Sequence, residues 1–417
     1  MLSARAALLK PSATLAITAK EKALRAEGLD IVGFGAGEPD FDTPTHIKKA
    51  AIDALMDGFT KYTPVGGIDP LKDAIIEKFK RDNDLEYKRE EIVVSCGGKH
   101  SLYNLFQAIF QEGDEVIIPV PYWVSYPAMV ELAGATPVFV ETHAEEDYQL
   151  TAEMIQKHLS PKTKGIILNY PSNPVGSVFF PENLEKIGKL AVERNIYLIS
   201  DEIYDKIAYD NYKHTSIASL GHPIKEMTII THAVSKTYAM TGWRIGFAAG
   251  PKEIIQAMTN IQSQSTSNPT SISQWAALAA LRGPQDFVGT MVQEFVKRRD
   301  VFVSGLRSME GVTCFNPQGA FYVFPGFKNL LGRLYKGRRV NNITEFAGIL
   351  LEDFHVAVVP GIEFGKEGYL RLSFATSMEN VKKGLERIKK AVAALDSAAS
   401  PPSIRKEAIR CALMRHG

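Results

Sequence analysis

Lys236 sits in the run Ser235-Lys236-Thr237-Tyr238-Ala239-Met240-Thr241-Gly242-Trp243-Arg244. The apolar, β-branched run Thr228-Ile229-Ile230-Thr231 lies just ahead, so the lysine falls where a strand would end. A lysine at the buried end of a strand is costly unless its amine serves a purpose. An amine whose pKa is lowered by desolvation or by neighbouring cations forms a Schiff base with a carbonyl compound. Arg244, eight residues on, can hold a phosphate on the same ligand. Amine plus phosphate anchor point to pyridoxal phosphate, whose aldehyde needs the one and whose phosphate needs the other. An exposed lysine beside a structural arginine would read the same in isolation, so the neighbouring strand ends carry the decision.

In open parallel sheets ligands bind beyond the carboxyl ends of the strands. Five short apolar runs read as such strands: Glu91-Ile92-Val93-Val94-Ser95, Glu115-Val116-Ile117-Ile118-Pro119, Gly165-Ile166-Ile167-Leu168-Asn169, Tyr197-Leu198-Ile199-Ser200 and Thr228-Ile229-Ile230-Thr231. After the first comes Gly97-Gly98-Lys99, a turn whose backbone N–H groups can approach an anion at a helix N-terminus. After the second comes Trp123, able to stack on a flat ring. After the third comes Asn173 between prolines, in a rigid turn that aims its amide. After the fourth come Asp201 and Tyr204: a buried carboxylate that would hold a protonated pyridine nitrogen, and a phenol for the ring oxygen. After the fifth comes Lys236. Each of these alone has an ordinary structural explanation; together they match the functional groups of one cofactor.

The elements that must position these residues follow from periodicity. Helical runs separate the strands, with Leu102, Leu105, Phe106 and Ile109 on one face and Leu184, Ile187, Leu190 and Ala191 on another. The pattern predicts an α/β protein with a mostly parallel central sheet covered by helices, plus a smaller α+β domain. A chain of 417 residues exceeds one simple core. We expect a large domain over 45–290, a small domain over 1–44 and 291–396, and a tail over 397–417. Hydrophobic residues make up 45% and charged residues 23%, as in a globular protein, and the net charge of +1 offers no footprint for nucleic acid. Cys96, Cys314 and Cys411 suit neither a disulfide framework nor a metal site, and fit a reducing, cytoplasmic setting. No apolar run approaches the ~20 residues of a membrane span. Met1 to Lys20 is basic with no acid, as in a transit peptide, but reads better as a retained N-terminal helix and loop.

These motifs, with Gly35-Ala36-Gly37-Glu38-Pro39-Asp40-Phe41, Tyr62-Thr63-Pro64 and Leu370-Arg371-Leu372-Ser373, give a chain that resembles the class I pyridoxal-phosphate-dependent aminotransferases of the aspartate aminotransferase family. The resemblance runs from about Lys10 to about Val392 and implies the fold-type-I architecture. It implies that Lys236 carries the cofactor as an internal aldimine and shuttles the proton. Asp201 would meet the pyridine nitrogen, Asn173 and Tyr204 the phenolic oxygen, and Trp123 the ring face. Gly98, Lys99, Ser235 and Arg244 would hold the phosphate, with Tyr62 reaching in from a second subunit of a homodimer. Arg371 would grip the substrate α-carboxylate with help from Asn173, Trp123 and Gly37. Two departures stand out: Ala233 replaces a common phosphate-binding serine, and Val175 a common threonine.

The wording around Lys99 and Trp123 is similar to the bacterial and plant subgroup that includes aspartate/prephenate aminotransferases. There a lysine matching Lys99 meets a distal carboxylate, and a threonine matching Thr14 accompanies prephenate activity. The resemblance thus implies ping-pong transamination of aspartate with 2-oxoglutarate, and prephenate as a second acceptor. Alternatives are an aminotransferase for alanine or aromatic amino acids, and a non-catalytic sensor. The second is disfavoured because the resemblance begins too early to leave room for a DNA-binding domain.

Overall fold

The computed structural model describes residues 13–395 and, ahead of them, residues 2, 3, 6, 7 and 9. The expected tail over 397–417 lies outside the described residues. Seven strands form the central sheet: β1 (Ile92–Ser95), β2 (Glu115–Val120), β3 (Thr136–Glu141), β4 (Thr163–Asn169), β5 (Tyr197–Asp201), β6 (Thr228–Ala233) and β7 (Gly246–Ala249). Their order is β1-β7-β6-β5-β4-β2-β3. All neighbours pair in parallel except β7, which runs antiparallel to both β1 and β6.

The five runs read as strands are β1, β2, β4, β5 and β6. The other two strands break the rules that identify a buried strand. β3 is an edge strand with mixed exposure and Pro137 near its start. β7 reads Gly-Phe-Ala-Ala and has no β-branched residue. Its first residue must be glycine, because a Cβ on Gly246 would lie 2.2 Å from the Gly98 nitrogen. This antiparallel strand therefore brings the chain after Arg244 against the turn at Gly97-Gly98.

Alternation along the strands explains why both faces are covered. Val116, Ile118, Ile167 and Ile199 pack with Leu102, Leu105, Phe106 and Met258 on one face. Ile117, Ile166, Leu168 and Leu198 pack with Leu184, Ile187 and Ala191 on the other. Each fully buried aliphatic side chain contributes about 1.5–3 kcal/mol relative to exposure. The sequence-predicted helices are found as Gly98–Ile109 and Pro181–Arg194.

The last third forms a three-stranded antiparallel sheet, Val359–Pro360, Leu370–Ser373 and Tyr322–Val323. The helices Asp286–Arg307 and Met378–Ala393 pack in the same core. The N-terminal segment joins it: Val32–Gly33 pairs with Val356–Ala357, and Phe34 lies against Phe302. Helix Asp286–Arg307 runs unbroken through the boundary expected at residue 290. Among the described residues no helix is long and apolar enough to cross a membrane.

Candidate active site

A cavity of about 340 Å³ opens where the carboxyl ends of β1, β2, β4, β5 and β6 meet the N-terminal segment and the strand Leu370–Ser373. Among the described side chains, every sequence-predicted site residue lines it except Tyr62.

The amine comes first. β6 ends at Ala233, and one helical turn, Val234–Thr237, carries Ser235 and Lys236 into the cavity. Lys236 is half-buried, and its Nζ donates to the Gly37 carbonyl. Burial pushes its pKa down to about 8; Glu38 opposes this, while Arg371 and Arg244 add to it. A substantial fraction of such an amine is neutral and nucleophilic near pH 8.

The acid faces it from the end of β5. Asp201 is buried, and burial pushes its carboxyl up to about 6, against the hydrogen bond it accepts from Tyr126 Oη at 2.6 Å. The Asn169 side chain donates to the Asp201 carbonyl at 3.0 Å and accepts from the Asn173 N–H at 2.9 Å, so β4 and β5 hold the acid and the amide together. Trp123 meets Tyr126 edge-on, with centroids 5.2 Å apart, and this fixes the plane of the indole at the cavity wall.

The anion end is built from backbone and one guanidinium. Helix Gly98–Ile109 has no side-chain cap, so its first N–H groups point free. Gly97 adopts φ 92°, and a Cβ there would fall 2.4 Å from Arg244 Nη2. The Arg244 guanidinium thus packs over a backbone that only glycine leaves open. It donates to the Thr241 carbonyl at 2.8 Å. Ser235 lies buried beside it.

Arg371 supplies a second cation to the cavity. It is 2% exposed and lies over the Tyr322 and Phe364 rings at 4.7 and 5.0 Å. It donates to Asn173 Oδ1 at 3.1 Å and to the Gly35 carbonyl at 2.7 Å, while its Nε is buried without a partner. The nearby carbonyl is therefore Gly35, with Gly37 taken by Lys236. Tyr204 shares a 2.9 Å hydrogen bond with Tyr322. Lys99 Nζ lies 4.9 Å over the Trp123 ring, and burial, then Arg244, lowers its pKa.

One predicted residue lies elsewhere, and another falls outside the described side chains. Tyr62 is 90% exposed, on a loop tied down by Gln274, and does not line this chain's cavity. Thr14 falls in the helix Ala13–Ala26, and its side chain lies outside the described residues. Sequence reasoning gave no role to Tyr126, Tyr322 or Asn169. The spacing of Tyr126, three residues after Trp123 at a helix start, was the available signal; for Tyr322, in a strand far along the chain, there was none.

An amine, an acid, an aromatic wall and two arginines meet in one cavity, the kinds of group an enzyme would need to handle a phosphorylated aldehyde and a carboxylate. The model of the family "Aminotransferase class I and II" matches residues 30–388. The chain is 50% identical over 388 residues to an aspartate aminotransferase of Bacillus sp. (strain YM-2), covering 93% of this chain and 98% of that one. It is 49% identical over 394 residues to a probable aspartate/prephenate aminotransferase of Rickettsia conorii, covering 94% and 98%. The crystal structure of the aspartate aminotransferase from Rhizobium meliloti superposes with a TM-score of 0.92 at 43% identity, over 95% of this chain and 100% of that one. The chain belongs to the class I and II aminotransferases and is an aminotransferase of the mostly parallel α/β type.

Proposed function

We propose that this chain is an aspartate aminotransferase that uses pyridoxal 5′-phosphate, converts L-aspartate and 2-oxoglutarate to oxaloacetate and L-glutamate, and accepts prephenate as a second oxo acid. The observation that carries the reading is one cavity lined by a depressed-pKa lysine, a buried carboxylate and two arginines. The donor set fits the cofactor: Gly97 leaves room for Arg244 over a free helix N-terminus, and Arg371 keeps an orphaned buried Nε. When bound, the cofactor supplies an electrophilic carbonyl carbon and a ring that accepts electrons.

The residues then divide the task. Lys236 supplies the amine that holds the cofactor and, once displaced, moves the α-proton of the amino acid. Asp201, steadied by Tyr126, keeps the ring nitrogen protonated. Asn173 and Tyr204 bind the ring oxygen, and Trp123 covers the ring face. Gly98, Lys99, Ser235 and Arg244 hold the phosphate; Ala233 offers it no hydroxyl. Arg371 binds the α-carboxylate, aided by Asn173, Trp123 and Gly37, and a two-pronged guanidinium contact fixes the α-carbon over the amine. Lys99 meets the distal carboxylate, and Thr14 contributes to prephenate acceptance.

We further propose a cytoplasmic homodimer in which Tyr62 serves the partner's phosphate, a reading supported by its exposure here. We propose large and small domains over 45–290 and over 1–44 with 291–396. Steady-state kinetics with aspartate, alanine and aromatic donors, against oxaloacetate, 2-oxoglutarate and prephenate, test the assignment. Lys99→Ala should raise KM for aspartate strongly and for alanine little; equal effects would remove the role of Lys99.

A further inference from the structure

The turn that carries Arg244 is awkward. Ala239 and Arg244 both adopt left-handed backbone, φ 51° and 56°, a region that residues with a side chain enter sparingly. Its internal hydrogen bonds are few: Ala239 N–H to Lys236 O at 3.5 Å, Met240 N–H to Ser235 O at 3.0 Å, Trp243 N–H to Met240 O at 3.2 Å, and the Arg244 contact with Thr241 O. Further ties come from the N-terminal segment. Thr43 is 8% exposed; its hydroxyl donates to Ala239 O at 2.7 Å and accepts from Trp243 Nε1 at 3.0 Å. One hydroxyl therefore bridges both ends of the turn. Glu38 adds a tie at the middle, accepting from Thr241 Oγ1 at 2.8 Å. Thr43 itself does not line the cavity.

We propose that Thr43 is a positioning residue for Arg244 and, through the 239–243 turn, sets how tightly this chain grips the phosphate of its ligand. The inference rests on the reading of Arg244 as a phosphate residue. Without the hydroxyl, Ala239 O and Trp243 Nε1 lose a shared partner, and a turn with two left-handed residues relaxes toward ordinary backbone. The guanidinium is packed tightly over Gly97, so a small rotation of the turn takes it out of the cradle. Valine keeps the shape of threonine without the hydroxyl; serine keeps the hydroxyl.

Equilibrium dialysis of the cofactor-free chain against pyridoxal phosphate and against pyridoxal, the same ring without phosphate, tests this. Thr43→Val should weaken pyridoxal phosphate about tenfold and leave pyridoxal within about twofold, the size of a lost buried hydrogen-bonding group. Thr43→Ser should behave as the parent. Equal weakening of both ligands, as from general loosening, or no weakening of pyridoxal phosphate, overturns the proposal. Should Thr43→Val not fold, Trp243→Phe, which removes the indole N–H and keeps an aromatic ring, decides on the same outcomes. A parent chain with no preference for the phosphorylated ligand removes the phosphate reading of Arg244. A parent that prefers it, beside a Thr43→Val chain that keeps the full preference, removes only the role of Thr43.

Discussion

Replacing Asp201 by asparagine should make the cofactor-free chain more stable, and by an amount that depends on pH. Burial raises this carboxyl from the usual 3.8 to about 6. Between those values the unfolded chain has released a proton that the folded chain keeps. Stability therefore falls as pH rises through the window, and the penalty is full above pH 6. A shift of about two units corresponds to about 3 kcal/mol at pH 7, and to about 1–2 kcal/mol at pH 5, where the titration is incomplete. Asparagine has nearly the same shape and its oxygen can still accept the Tyr126 hydroxyl, but its amide nitrogen cannot accept the Ile203 N–H, so the variant sheds the charge penalty at the cost of one backbone contact that does not vary with pH. Urea unfolding of parent and variant, each free of cofactor, at pH 5, 6 and 7 gives the difference directly. The gain should grow with pH and level off above 6. A difference that is flat across the range, or that shrinks as pH rises, would refute the claim that Asp201 is a desolvated acid held in readiness for a cation. The same substitution should weaken pyridoxal phosphate binding, because the stored penalty is relieved only when a protonated ring nitrogen faces the carboxylate.

Three further outcomes follow from particular contacts. Gly97→Ala places a Cβ 2.4 Å from Arg244 Nη2 at a φ of 92°; it should weaken pyridoxal phosphate by about tenfold or more in a dialysis titration while the far-ultraviolet circular dichroism stays unchanged. Arg371→Lys keeps the charge but cannot hold Asn173, Gly35 and a carboxylate together; KM for both amino acid and oxo acid should rise about a hundredfold in steady-state assays. Lys78 lies buried 2.7 Å from Asp205 Oδ2. Lys78→Met leaves Asp205 to the His232 imidazole alone, 2.9 Å from Oδ1, and should lower stability by about 2 kcal/mol in urea titrations, and adding Asp205→Asn should recover part of it.

The candidate site was legible because strand ends are legible. A buried parallel strand must be short and apolar on both faces, so the residue that breaks the run marks the end of the strand. Lys99, Trp123, Asn173, Asp201 and Lys236 were found that way, and the cavity contains all five. β3 and β7 escaped the same rule, one as a polar edge with a proline and the other built of glycine and alanine. Tyr126 stands three residues after Trp123 yet had no visible partner, since Asp201 lies 75 residues away.

By itself the sequence picked out residues that gather in one cavity and the strand ends on which they stand, because hydrophobic periodicity and turn residues are local properties. The tertiary structure alone decided their environments. The low pKa of Lys236 and the high pKa of Asp201 arise from burial by segments far off in the chain. Arg371 meets Gly35 across 336 residues, and Thr43 meets the Arg244 turn across about 200. Desolvation and hydrogen bonding between distant segments are sums over the folded neighbourhood, and no window of sequence contains them.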